Sequence, residues 1–400
     1  MDEAAAVQAG VTEAFRPEEA PMAFDRTAGW AHFRAAGPVA PGVGAVFLTT
    51  ADGVQEAHHH PEVFSSARAF DFLGSPYPVV PLAVDPPEHV RYRRVLDPML
   101  APRVVNAMDD ELRAQVGQLI DAFAGRGECD AVAELANLYP TQVFLTLFGM
   151  PLGDRDRFFE WVTTINDEAS LSAGGPNAKA AEAAGALVTY LQEFVSKKRQ
   201  APGDDMLSRV LALTGDDAWT DEEVLGLCFL FTNAGLETVT GAIGFTLLHL
   251  ATDTTLRQRV VADPSLVGPL IEEILRLEQP APMTPRFTLA DYEIEGRTIP
   301  AGTMVQLVLG AANRDPARYP RPDEIDLEHA DRGHLAFGGG IHRCLGSHLA
   351  RRELRLVVEE FHKRIPDYEV APGARPQVHW PAGTLNLDSL PLVFPPRSAR

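Results

Sequence analysis

The chain has 400 residues, 46% of them hydrophobic, which is ample for a large core. Its formal net charge of −20 argues against a nucleic-acid-binding protein, because basic surfaces bind a polyanionic backbone. The three cysteines are an odd number without regular spacing, which indicates a reducing compartment. Residues 1–25 are expected to form a loosely ordered lead-in, and this acidic start lacks the basic segment and apolar run of a secretory signal.

The first 84 residues combine a predicted strand, a run of histidines and a proline-rich loop. Residues 41–50 are rich in β-branched side chains and predict a strand. The histidines at 58–60 are expected to form a surface cluster and not a metal site, since adjacent side chains point in different directions. Residues 70–84 are apolar and broken by prolines, so they predict an irregular loop that could line a pocket.

The segment that begins at residue 85 predicts a helix with two hydrogen-bond donors on one face. The prolines at 86 and 87 suit the first turn of a helix. His89 and Arg93 then lie one turn apart, and both are suited to bind a carboxylate. A solvated basic helix is the alternative interpretation.

Apolar residues at helical spacing predict further helices downstream. They cover residues 109–123, 135–148, 154–165 and 187–195. A Gly-Gly-Pro sequence at 174–176 separates the last two helices, which could form a lid around a flexible loop.

The centre of the chain predicts one long apolar helix. The sequence Thr-Asp-Glu-Glu at 220–223 predicts an N-terminal cap, and residues 224–251 are almost entirely apolar. A run of this length could cross a membrane. Asn233 and Glu237 lie in its middle and favour a core helix of a globular protein, because an ionisable group is costly in lipid.

Glu237 and Thr238 form an acid–alcohol pair within this helix. Both groups are costly to bury unless they are partnered or used. Ala234 and Gly235 leave a notch beside them, so this region could bind a small polar ligand and pass protons to it. In the alternative interpretation, the Thr238 hydroxyl only bonds back to the carbonyl of Ala234 and serves the helix.

The last third of the chain predicts a helix and a small sheet. Residues 270–277 place Glu273 and Arg276 on one helix face, where a simple surface ion pair is the alternative. Arg286 precedes short alternating stretches with turn glycines, which predict a small antiparallel sheet. Residues 368–395 predict further short strands.

Cys344 lies in a glycine-rich loop before a predicted helix. The glycines at 338–340 and 346 allow a bulky group to approach the backbone closely. The helix start and nearby arginines are expected to lower the thiol pKa and favour a thiolate. As a nucleophile it lacks a well-placed base, because His342 is only two residues away. Zinc and iron–sulfur sites do not fit three cysteines without a C-x-x-C pair, which leaves a haem-iron ligand or a buried cysteine in a turn.

Residues 337–346, with the sequence F-G-G-G-I-H-R-C-L-G, resemble the haem-binding loop of the cytochrome P450 family. Other segments resemble family motifs in the family order: H-x-x-x-R from 89, A-G-L-E-T from 234, E-x-x-R from 273, and the arginine at 286. The resemblance implies that Cys344 is the proximal ligand of haem b iron. It implies further haem-binding residues: His89, Arg93, Ala234, Gly235, Arg286, Phe337, Gly338, His342 and Gly346.

The same resemblance implies a fold and an activity. The fold would be mainly α with a minor antiparallel β part, as a single domain over residues 26–400. The protein would be a cytoplasmic monooxygenase without a membrane anchor, which inserts one atom of O2 into an apolar small molecule. Glu237 and Thr238 would relay protons, and electrons would pass from NAD(P)H through a separate ferredoxin reductase and ferredoxin. A peroxide-driven or isomerising haem-thiolate enzyme and a non-catalytic haem sensor are the alternatives.

Two positions depart from the family pattern. Val239 replaces a second hydroxyl after Thr238. His329 stands where the family has a third arginine beside its E-x-x-R pair, and it could donate a hydrogen bond in that place.

Two surfaces are also predicted, an apolar pocket and a basic patch. The side chains that could line an apolar pocket are Phe70, Phe72, Leu73, Val79, Val80, Phe231 and Met283. A basic patch beside the Cys344 loop could bind an acidic ferredoxin. Its arginines are Arg91, Arg93, Arg94, Arg343, Arg351, Arg352 and Arg355.

Overall fold

The computed structural model describes residues 14–71, 75–171 and 178–396, with side chains omitted at 166–171. It is mostly helical with small sheets, as predicted. The α-helices are α1 Arg26–Ala35, α2 Ala51–His59, α3 Glu88–Met99, α4 Pro102–Ala107, α5 Asp109–Asp121, α6 Leu138–Phe148, α7 Arg155–Leu171, α8 Ala178–Gln200, α9 Met206–Leu211, α10 Asp221–Thr252, α11 Thr254–Ala262, α12 Val267–Leu277, α13 Leu309–Ala312 and α14 Ser347–Arg364.

The strands form three small sheets. Their bounds are β1 Val39–Pro41, β2 Val46–Leu48, β3 Phe64–Ser65, β4 Glu128–Asp130, β5 Thr284–Thr288, β6 Tyr292–Ile294, β7 Arg297–Ile299, β8 Met304–Leu307, β9 Glu369–Val370 and β10 Pro391–Val393. The largest sheet has the order β1-β2-β8-β5-β3, the second β4-β10-β9, and β6 pairs with β7. The pairing is antiparallel except between β2 and β8, which run parallel with Val46 opposite Val305. The sheet thereby joins the N-terminal region to the segment that precedes the Cys344 loop.

The long helix α10 lies in the main core. Its N-terminus has the predicted capping box, in which Thr220 and Glu223 each bond to the other's backbone N–H. Among the described residues it is the one helix long and apolar enough to cross a membrane, but 67% of its most apolar window is buried in the protein. Gly226 lets the chain at Pro78 approach, since a Cβ there would lie 1.8 Å from the Pro78 carbonyl oxygen. The proline-rich loop is therefore packed directly on α10.

Part of the expected N-terminal lead-in is packed against the core, so the expectation of loose order is wrong for residues 14–25. Met22 is fully buried, and Phe15 pairs with Gly42 in an isolated bridge. The Phe15 ring also meets Phe33 of α1 edge to face, with 5.1 Å between centroids. Aromatic packing of this kind orders a segment that has no regular pattern.

Candidate active site

The loop that leads to Cys344 is shaped by its glycines. Gly338 and Gly340 have φ values of 64° and 58°, in the left-handed region that favours glycine. A Cβ on Gly340 would lie 2.0 Å from the carbonyl oxygen of His58, so only glycine fits against the end of α2. The Cys344 N–H donates to the Phe337 carbonyl at 2.8 Å, which closes the loop. Helix α14 begins three residues after the cysteine.

The Cys344 thiol lies deep in the protein yet keeps accessible surface. Burial raises its pKa, although a hydrogen bond from the Gly346 N–H and the charge of Arg93 oppose the rise. The prediction that the helix start lowers the pKa of this thiol is therefore wrong when only the protein groups are considered, because desolvation of the thiolate outweighs the nearby positive charge. A buried sulfur with accessible surface lines an internal recess, and a metal ion there would favour the deprotonated form.

The predicted notch lies in the middle of α10. Ala234 and Gly235 are exposed although Leu236 and Val239 beside them are buried. A Cβ on Gly235 would meet no atom within 4 Å. A large group can therefore approach the helix backbone at this point. The Thr238 hydroxyl, one turn later, donates to the Ala234 carbonyl at 2.9 Å.

A cluster of nitrogen donors surrounds Arg286, and we call it the Arg286 cluster. Arg286 is 5% exposed, and its side chain donates to the carbonyl of Pro285 at 2.7 Å. Burial lowers its pKa to about 10, so it stays charged at neutral pH. The rings of His89 and His342 lie close, with 4.4 Å between centroids. The cluster consists of His58, His89, Arg286 and His342.

The histidines of this cluster are held neutral, and each has a buried ring nitrogen without a hydrogen-bond partner among the described residues. Burial first, and then the charge of Arg286, lower the pKa of both His58 and His342 to about 3. Among the described residues, the buried Nδ1 of His58 and the buried Nε2 atoms of His89 and His342 have no hydrogen-bond partner. Asp85 lies near enough to act on Arg286, but its carboxylate already accepts from Ser65 and Ser66.

These groups fit the carboxylates of a haem. Buried donors without protein partners are costly, and anionic oxygens satisfy both their hydrogen bonds and their charge. Arg93 ties this region to the Cys344 loop, since it donates to the Arg343 carbonyl at 2.9 Å and pairs with Asp97 at 2.8 Å. The predicted donors His89, Arg286 and His342 are thus brought together, and Arg93 links them to the loop that carries Cys344.

His58 is the member of this cluster that the sequence analysis assigned wrongly. It was expected on the surface with its two neighbours, whereas it is 5% exposed at the end of α2. His59 is exposed and His60 pairs with Glu62, so the expectation holds for those two. The helical spacing of α2 could have indicated this burial, because Val54 and Ala57 place His58 next to the buried face of the helix.

The E-x-x-R pair is buried and complete. Arg276 holds both oxygens of Glu273, with Nε–Oε1 and Nη2–Oε2 distances of 2.8 Å. The backbone N–H of Asp326 donates to Glu273 at 2.8 Å. His329 is 47% exposed and bonds the carboxylate of Asp326 at 3.1 Å, so it supports the pair through Asp326 and does not replace the third arginine directly.

The predicted basic patch is largely neutralised within the chain. Arg91 pairs with Glu223 and Arg351 with Glu272, both at 2.7 Å. The other pairs are Arg93 with Asp97, Arg94 with Asp217, Arg352 with Asp109, and Arg355 with Glu359. Arg351 also lies over the ring of Phe337 at 4.4 Å, which helps to hold the loop before Cys344.

The pocket-lining predictions have mixed outcomes. Val79 and Val80 are buried, whereas Phe231 and Met283 are partly buried against the main core. Phe72 and Leu73 lie outside the described residues, as does the glycine segment at 174–176.

Comparisons with known proteins agree with this geometry. The family model "Cytochrome P450" matches residues 265–364, which include the E-x-x-R pair and the Cys344 loop. The vitamin D(3) 25-hydroxylase of Pseudonocardia autotrophica is 34% identical over 82% of this chain and 81% of its own length. The mycinamicin IV hydroxylase/epoxidase of Micromonospora griseorubida is 33% identical over 76% of each chain.

The fold has solved counterparts. The structure of P450BioI in complex with hexadec-9Z-enoic acid ligated acyl carrier protein has a TM-score of 0.84 and 27% identity. It covers 93% of this chain and 99% of its own. With relatives above 30% identity over most of both lengths, and with donors suited to haem b around one accessible cysteine, this chain belongs to the cytochrome P450 family of haem monooxygenases.

Proposed function

We propose that this protein hydroxylates or epoxidises an apolar small molecule with O2, using electrons from a separate ferredoxin and its NAD(P)H-dependent reductase. The observation that carries the proposal is the accessible notch at Ala234 and Gly235 beside the Glu237–Thr238 pair. A notch next to a hydroxyl can hold a small ligand and a proton donor together. Residues 26–400 would form one catalytic domain, located in the cytoplasm.

The names of the relatives support oxygen insertion. One is a vitamin D(3) 25-hydroxylase and another a mycinamicin IV hydroxylase/epoxidase, and both names describe the insertion of oxygen into an organic molecule. The available lining of Val79, Val80, Phe231 and Met283 is apolar, so it favours a substrate that is desolvated on binding.

Cys344 would hold the haem iron through its sulfur, and its position is set by hydrogen bonds with the Phe337 carbonyl and the Gly346 N–H. Gly338, in a left-handed turn and without a side chain, would allow the haem to approach the backbone closely. His89, Arg93, Arg286 and His342 would bind the haem carboxylates. When bound, the haem supplies the binding and reduction of O2.

Glu237 and Thr238 are the proposed proton-transfer residues. The Thr238 hydroxyl already donates its proton to the Ala234 carbonyl, which fixes its orientation. Its oxygen can therefore accept a hydrogen bond from a water molecule in the notch. Glu237 is half-buried one residue earlier and would exchange protons with that water. Val239 has no donor and cannot replace the hydroxyl.

The substitution Thr238→Ala tests this role. We expect continued NADH consumption with hydrogen peroxide in place of most oxygenated product, because positioned proton transfer contributes about 10²–10⁴-fold. Thr238→Ser should recover part of the product formed per NADH. The measurement is that ratio, determined with a substrate found by a shift of the Soret band.

Thr246→Ala is the matched control. Thr246 lies in the same helix and makes the same bond to the carbonyl four residues earlier, at 2.7 Å, but it is fully buried. If only helix geometry matters, both alanine variants should lose coupling alike. Unchanged coupling in Thr238→Ala would overturn the proposed proton transfer. Product formation with peroxide but not with NADH and ferredoxin would favour the peroxide-driven alternative.

A further inference from the structure

His58 lies against the glycines that precede Cys344. A Cβ on Gly339 would stand 3.0 Å from its Nδ1, and one on Gly338 would stand 3.7 Å from its Nε2. The carbonyl of His58 excludes a side chain at Gly340. The imidazole and the loop therefore form one packed unit.

Among the described residues, the buried Nδ1 of the His58 imidazole has no hydrogen-bond partner. The other buried residues of α2, which are Ala51, Gly53, Val54 and Ala57, are small or apolar. An apolar side chain at position 58 would avoid the desolvation cost of an imidazole, so a purely packing role does not explain a histidine here.

Its surroundings point to an anionic ligand. Arg286 lies close enough to His58 for its charge to act on the imidazole, and the rings of His89 and His342 lie 4.4 Å apart beside Arg286 in the same cluster. The carboxylate of Asp85 is engaged by Ser65 and Ser66. Three buried ring nitrogens without partners and one buried guanidinium are therefore arranged around the same region, and a carboxylate is the group that all of them could share.

We propose that His58 is a haem-binding residue, which donates a ring N–H to a haem carboxylate beside Arg286 and His342. Helix α2 then contributes directly to cofactor retention, together with α3, β5 and the Cys344 loop. This inference rests on haem b binding by the family and is independent of the proposed oxygen insertion. His58 would thus be a further hydrogen-bond donor to the haem, from a part of the chain that none of the recognised family motifs includes.

The test measures transfer of ferric haem from the holoprotein to excess apomyoglobin. His58→Leu should release haem about 10-fold faster or more, since it removes a hydrogen bond to a charged group. His58→Gln retains an N–H donor and should stay closer to wild type. His59→Leu is the matched control on the exposed neighbour and should release haem at the wild-type rate.

Reconstitution with the dimethyl ester of haem separates binding from packing. The ester removes the anionic charge, so the difference between wild type and His58→Leu should largely disappear. If His58→Leu does not fold, His58→Ala takes its place in the same comparison. Equal release by wild type and the apolar variant with native haem would overturn the proposal. So would an acceleration that is equally large with the ester, because it would indicate packing alone.

Discussion

Two buried charge clusters in this protein differ in how their charges are balanced. In the first, which we call the Glu278 cluster, Glu278 is 3% exposed and accepts from Arg26 at 2.6 and 2.9 Å and from His249 at 2.8 Å. Arg314 lies near enough to respond to the same carboxylate. In the Arg286 cluster, no carboxylate among the described residues is hydrogen-bonded to the donors. Asp85 acts on Arg286 only through its charge, and its own carboxylate accepts from Ser65 and Ser66.

The pKa shifts of the buried groups in the two clusters reflect this difference in charge balance. Burial alone would raise the pKa of Glu278, but Arg26 and His249 bring it well below its usual range. In the Arg286 cluster, burial and the positive neighbour lower the pKa of His58 and His342 to about 3. A buried cluster that balances its own charge stabilises the fold, whereas one with only donors is suited to an anionic ligand. Two substitutions test this distinction, and a third concerns a buried acid outside both clusters.

The largest effect is expected from Glu278→Ala. The change leaves Arg26 and Arg314 without their shared buried carboxylate, so unfolding should become easier by about 3–5 kcal/mol at pH 7. Because the carboxyl pKa is lowered by folding, this contribution is fully present above about pH 4.5 and is lost progressively as the pH falls from there toward the much lower folded value. Urea denaturation at pH 7 and at about pH 3 measures the size of the contribution and its decline.

Glu324→Ala is the control for this substitution. Its carboxylate pairs with Arg321 at 3.4 Å, and both side chains are more than half exposed. Such a surface pair contributes only about 0–1 kcal/mol. Similar losses in the two variants would contradict the distinction between the clusters.

Arg286→Leu should weaken haem binding without destabilising the fold. The variant removes a buried cation that has no protein carboxylate in contact, so the haem-free protein should unfold at the same urea concentration or a higher one. We expect haem release to accelerate by about 10–100-fold, in the range seen for partners of metal sites. Haem transfer to apomyoglobin and urea denaturation measure the two parts.

The control for Arg286→Leu is the carbon monoxide difference spectrum. Haem that remains in Arg286→Leu should keep the red-shifted ferrous band that thiolate ligation gives in this family, whereas Cys344→Ala should lose it. Unfolding of Arg286→Leu with haem retention unchanged would assign Arg286 to the fold and contradict the comparison.

The smallest effect is expected at Glu353, a buried acid that belongs to neither cluster. It is 3% exposed on α14, its Oε2 has no partner among the described residues, and burial raises its pKa well above the usual range. A raised carboxyl pKa costs stability as the pH rises above about 4.5. Glu353→Gln should therefore stabilise the protein by about 1 kcal/mol at pH 7, with little difference at pH 4. A destabilised glutamine variant at pH 7 would show that the carboxyl group has a specific bonding role. Thermal unfolding of wild type and Glu353→Gln at pH 7 and pH 4 measures the difference in stability.

The sequence by itself determined the features that depend on neighbouring residues. The capping box at Thr220 and Glu223, the apolar length of α10, the notch at Ala234 and Gly235, and the bond from Thr238 to Ala234 all depend on residues within one or two turns. The Cys344 loop was recognisable for the same reason, because its glycines and its cysteine are consecutive. The family and the mainly helical fold followed from such local patterns in their order along the chain.

Only the tertiary structure decided which charges are balanced and which side chains are buried. His58 was assigned to the surface because its burial depends on Gly339 and Gly340, which lie far away in sequence. Several arginines of the predicted patch had partners far away in sequence that no local pattern could indicate, such as Glu223 for Arg91 and Glu272 for Arg351. Helix periodicity records a preference over a few residues, whereas desolvation and pairing depend on every group that folding brings within a few ångströms.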